Sequence, residues 1–93
     1  MSYRENVRRA IYYVIDMREG GKTSAFADRV GASGQRVNNW KKGNNAPDLE
    51  TVGEISVIYD LSLDWMIGGD MDKAPSDYCE YAVTKFADCD LDD

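Results

Sequence analysis

The 93 residues and 43% apolar content suffice for one small core, which excludes a multidomain enzyme, and no apolar run approaches the roughly 20 residues needed to cross a bilayer. Histidine is absent and the only cysteines, Cys79 and Cys89, sit near the end of the sequence, so no catalytic residue, metal site, cofactor or disulfide framework is expected and both thiols read as reduced. The net charge of −6 conceals two unlike halves: residues 1–46 hold nine basic and four acidic side chains, residues 47–93 two basic and thirteen acidic, so the first half is suited to a polyanion.

The opening MSYRENVRRA carries charges where a secretory signal would be apolar, so a cytoplasmic protein without a membrane partner is expected. Ser2 and Glu5 form a capping-box pattern ahead of Val7, Ala10, Ile11, Val14 and Ile15, which recur at helical spacing until Gly20-Gly21; a first helix is predicted over about 3–18. Thr23 or Ser24 then caps a short second helix that buries Phe26, Ala27 and Val30 and ends at Gly31. Ser33 caps a third, 34–42, with Val37 and Trp40 inward, followed by the loop Gly43-Asn44-Asn45-Ala46-Pro47. Asp48 caps a fourth with Leu49, Val52, Ile55 and Ile58 on one face, and Ser62 a fifth, 63–67, closed by Gly68-Gly69. No segment alternates with period two, so the fold class is all-α.

These elements define a domain over 1–69, a polar linker over 70–77 and an acidic tail over 78–93. In the tail, Cys79, Ala82, Val83, Phe86 and Cys89 share a helical stripe. It reads as an extra amphipathic helix packed on the domain or on a second subunit; a solvated acidic tail is the plainer alternative.

Residues 24–43, SAFADRVGASGQRVNNWKKG, place two short helices around a glycine turn with a small alanine at their closest approach. Here the chain resembles the phage repressor and Cro-like (XRE-like) helix-turn-helix family, and the resemblance extends through Ala46-Pro47-Asp48-Leu49 to the ending Ser62-Leu63-Asp64-Trp65-Met66. It implies a five-helix, repressor-like DNA-binding domain whose third helix enters the major groove of double-stranded DNA, usually as a homodimer on a palindrome. Advancing about 100° per residue from Val37 and Trp40 turns Gln35, Asn38, Asn39 and Lys42 outward. Gln35 and Asn39 match family positions that touch base edges, and their amides suit adenine; Asn38 is a further base-contacting candidate, and Arg36 on the flank suits guanine or phosphate. Candidate phosphate contacts are Thr23, Lys22, Ser33, Lys42, Asn44 and Asn45. The plainer readings are caps for Thr23 and Ser33, a solvated lysine for Lys42 and turn residues for the asparagines.

Three positions depart from the family pattern. Gly34 replaces a frequent polar base reader, so a side-chain contact is lost or the backbone approaches the groove closely. Asp16 and Lys41 stand where relatives carry an Arg and a Glu, and are expected to form the same structural ion pair with reversed polarity. Gly21 replaces an apolar residue before the second helix, which suggests a mobile loop. The expected function is a sequence-specific transcriptional regulator, of the small prophage-repressor kind. The alternative is an antitoxin-like DNA-binding protein whose acidic tail, through Tyr78, Tyr81 and Phe86, grips a partner protein.

Overall fold

The computed structural model describes residues 2–87. Six α-helices follow in order: α1 (Tyr3–Arg18), α2 (Thr23–Val30), α3 (Gly34–Lys42), α4 (Leu49–Tyr59), α5 (Leu63–Gly68) and α6 (Tyr78–Phe86), with a 3-10 turn at Met71–Lys73 between the last two. No strand occurs among the described residues, and no helix there is long and apolar enough to cross a membrane.

Local capping sets most helix starts. Ser2, Ser33, Asp48 and Ser62 each accept a backbone N–H three residues on, from Glu5, Arg36, Thr51 and Trp65, which satisfies a donor that the first helical turn leaves open. The second half of the expected capping box is not formed: the Glu5 carboxylate accepts from Arg8 and Arg9 instead. At α2 the capping residue is Lys22, which makes no side-chain cap, so neither Thr23 nor Ser24 has that role. The helix starts one residue earlier than expected, with the Phe26 N–H bonded to the Lys22 carbonyl at 3.3 Å, which places Thr23 inside the first turn, where its hydroxyl accepts from the Lys41 ammonium at 3.0 Å.

The core is one cluster. α1 supplies Val7, Ala10, Ile11, Tyr13, Val14 and Ile15, and around it close Phe26, Val37, Trp40, Val52, Ile55, Trp65 and Met66. Asn6, buried in α1, donates to the Ile67 carbonyl at 3.1 Å and ties α5 to α1. Tyr78 and Ala82 of α6 belong to the same cluster, so the tail helix packs on the domain. Its buried side differs from the expected stripe: Tyr78 is inward and Val83 is exposed, while Cys79 is half-buried and Cys89 lies outside the described residues. Tyr13 explains the rotation. Its ring lies 5.8 Å from Tyr78, 5.6 Å from Tyr81 and 5.7 Å from Trp65, all edge-on, the geometry that aromatic quadrupoles favour.

The face of α4 is also rotated from expectation. Val52, Ile55, Ser56 and Tyr59 point inward, whereas Leu49 and Ile58 are exposed. Tyr59 sets this rotation by stacking on Phe26 at 6.0 Å and donating its hydroxyl to Glu19 Oε2 at 2.6 Å. Arg29 Nε donates to the same oxygen at 2.7 Å, so one carboxylate joins the end of α1 to α2 and α4. The Tyr59 hydrogen bond, followed by that of Arg29, holds the Glu19 carboxyl below its ordinary value. A carboxyl depressed in the folded state stabilises at pH values above its ordinary one, and that contribution is lost as pH falls through the folded value. Tyr59→Phe should therefore flatten the acid limb of a stability-against-pH curve below about pH 4.5. Urea unfolding at several pH values tests this, and an unchanged limb would contradict it.

Candidate nucleic-acid interface

The turn between α2 and α3 is closed by Gly31 in the left-handed region, φ +73°, and by the Ala32 N–H reaching back to the Ala27 carbonyl at 2.9 Å. This is a helix-ending pattern that glycine adopts without strain. Buried Phe26, Ala27, Val37 and Trp40 hold the two helices against α1 and fix the rotation of α3 about its axis.

That rotation leaves one face of α3 open. Gln35, Arg36, Asn38 and Lys42 are exposed and Asn39 is half-buried. The helix sequence GQRVNNWKK contains no acidic residue. Gln35, Asn38 and Lys42 have no protein partner among the described residues. The Arg36 guanidinium lies 5.3 Å from the Trp40 ring centre, a cation–π contact that lays it along the helix. Asn39 accepts a hydrogen bond from the Asn44 amide at 3.4 Å, which keeps its own NH2 group available. Ser33 Oγ is occupied as acceptor by the cap; its hydroxyl hydrogen is not. Lys22 and Asn45 are exposed at the start of α2 and in the loop after α3, respectively.

The expected Asp16–Lys41 pair is not formed. Asp16 accepts the Tyr81 hydroxyl at 2.6 Å and faces Lys85 Nζ at 3.4 Å, both from α6. Lys41 turns toward Thr23, with its ammonium 5.4 Å from the centre of the Tyr12 ring. The tail helix thus supplies the partners that take Asp16 away. The tie between α1 and α3 is made by other residues that the charge-swap argument missed: Arg8 Nε donates to the Lys41 carbonyl at 3.0 Å and Arg4 to the Gly43 carbonyl at 3.3 Å. Cations at a helix C-terminus satisfy its open carbonyls and complement its dipole. The signal was present as two arginines at i, i+4 spacing on α1, which share a face.

Gly34 stands at the first position of α3, and a Cβ added there would meet nothing within 4 Å. Gly34→Ala is therefore expected to stabilise the protein by about 0.4–1 kcal/mol through the unfolded chain. If the glycine serves close approach to DNA, the same change weakens binding. Urea midpoints together with duplex titrations test the pair of effects, and a rise in stability with unchanged affinity would make Gly34 only a missing contact.

A helix-turn-helix family model matches residues 15–66, more than half of the chain. No curated protein and no solved structure matches it. The matched span runs from late α1 through α5 and contains the whole α2–turn–α3 unit with its open polar face; the chain belongs to the Cro/C1-type, XRE-like helix-turn-helix family, whose members are DNA-binding regulators.

Proposed function

We propose that the protein is a sequence-specific repressor of the small prophage type, acting as a homodimer that sets α3 into the major groove of a palindromic operator. The observation that carries this reading is the outward row Gln35, Asn38 and Asn39 on a helix without acidic residues, flanked by Lys22, Arg36 and Lys42. Amides offer a paired donor and acceptor that match adenine N6 and N7, so Gln35 and Asn39 read A·T pairs and Asn38 supports them. Arg36 contacts guanine or phosphate. Lys22, Thr23, Ser33, Lys42, Asn44 and Asn45 hold the backbone, with the hydroxyls and amides donating to phosphate oxygens.

The antitoxin-like reading, which rests on the acidic tail, draws less support from that tail's aromatic side chains. Tyr78 is buried, and Tyr81 and Phe86 are half-buried against the core, so the aromatic side chains that suited a partner surface face the domain. Selection of bound sequences from a random duplex library, with residues 1–93, tests the main proposal. It is expected to return a palindrome with half-site centres about 10–10.5 base pairs apart, or a multiple of that. A folded protein that selects no motif would overturn it.

A further inference from the structure

A groove of 620 Å³ opens between the end of α2 and the outer face of α4, on a different part of the surface from the open face of α3. Its apolar lining comes from Val30, Val57 and Ile58. Val57 is 80% exposed and Ile58 42%, a consequence of the rotation of α4 that turns Tyr59 inward. Asp28, Glu50 and Glu54 also line it, and none of the three makes an ion pair among the described residues. The remaining charged side chain, Arg29, is held by Glu19 through its Nε. The lining thus combines exposed apolar side chains with three carboxylates, which disfavours DNA and disfavours a second copy related by a two-fold axis, since like charges would then face one another.

Gly53 adds an independent observation. It lies inside α4, where glycine weakens a helix relative to alanine, and a Cβ placed on it would meet nothing within 4 Å. Nothing among the described residues requires its smallness. It lines the groove, where a missing side chain lets another backbone come close.

We infer that this groove is the docking site for an amphipathic helix of a partner protein, one whose apolar stripe is flanked by lysine or arginine. The apolar stripe covers Val57 and Ile58, its backbone passes over Gly53, and its basic flanks meet Glu50, Glu54 and Asp28. This is helix-in-groove recognition, with charge setting the choice of partner.

The test titrates the 15N-labelled full chain with a synthetic helical peptide of about 18 residues, leucine at i, i+3, i+4 and i+7 and lysine elsewhere. A matched peptide with glutamate in place of lysine is the control. The lysine peptide is expected to shift the amides of Val30, Gly53, Val57 and Ile58, and the glutamate peptide is not. The double substitution Glu50→Gln, Glu54→Gln should weaken binding about fivefold or more. Gly53→Ala should weaken binding while raising Tm by about 4–8 °C. No binding, shifts centred elsewhere, equal binding of both peptides, or Gly53→Ala without effect on binding would each overturn the proposal. Shifts at the same amides on raising protein concentration alone, with a dimer in sedimentation, would assign the groove to a second copy and also overturn it.

Discussion

A chain ending at Gly69 should lose most of its resistance to urea, whereas one ending at Ala87 should keep that of residues 1–93. The short form lacks Tyr78 and Ala82, which are buried in the core cluster. Tyr78 lies 5.0 Å from Trp65 and 5.8 Å from Tyr13 between ring centres, so its removal opens both rings to water. Deleting one buried aromatic side chain costs about 3–5 kcal/mol, and a small domain has only about 5–15 kcal/mol in total. The short form also loses the hydroxyl bond of Tyr81 to Asp16 and leaves Tyr13 Oη without Asp77. Urea unfolding followed by circular dichroism measures the difference, with Tyr78→Ala in residues 1–93 as the single-site equivalent. Equal midpoints for the two shortened chains would mean that α6 adds nothing to the core.

The second large effect is on DNA. Gln35→Ala or Asn39→Ala should weaken the selected site by about 1–3 kcal/mol for each lost bidentate contact and random duplex much less, while Lys42→Ala should weaken both alike. Equal losses on both duplexes for Gln35→Ala would remove it from the base-reading set. The salt dependence is equally specific. Of the nine basic residues in 1–46, Arg8 and Arg9 share Glu5, Arg29 holds Glu19, and Arg4, Arg8 and Arg18 donate to backbone carbonyls. Lys41 is turned to Thr23. Bonds to neutral oxygens leave a charge in place but fix where it points; among the described residues Lys22, Arg36 and Lys42 have no such tie and are the ones expected to follow phosphates. Each phosphate neutralised contributes about 0.9 to the slope of log K against log salt, so a slope near −3 per protomer is expected instead of about −8. Titrations at several salt concentrations decide between the two values.

Helix ends were legible because the groups that decide them are neighbours in sequence. Ser2, Ser33, Asp48 and Ser62 each bond three residues on, and Gly31, Gly43 and Gly69 close helices in the left-handed region. The outward direction of Gln35, Asn38 and Lys42 was legible for a related reason: buried Val37 and Trp40 fix the rotation of so short a helix. Misreadings cluster where a distant residue decides. Asp16 chooses between partners on α3 and α6, and the winning Tyr81 stands 65 positions away. The rotation of α4 follows from Glu19, 40 positions before Tyr59; periodicity offered Leu49 and Ile58 instead, because an apolar helix presents more than one plausible face. At α2 the misreading is a shift of one residue: the helix starts from Lys22, and the Thr23 hydroxyl meets Lys41, 18 positions away, instead.

The bonds from Tyr13 to Asp77 and from Tyr81 to Asp16 join positions 64 and 65 residues apart, and this separation bears on how the protein comes into being. Synthesis delivers the α2–turn–α3 unit early and α6 late, whereas a domain folds as a unit. Closing so long a loop carries an entropic cost that grows with the logarithm of its length, and the aromatic seal over α1 cannot form before α6 has been made. Until then Tyr13 and Trp65 lack the cover that Tyr78 gives them in the finished fold, so the nascent chain carries its aromatic surface uncovered for as long as α6 is unmade.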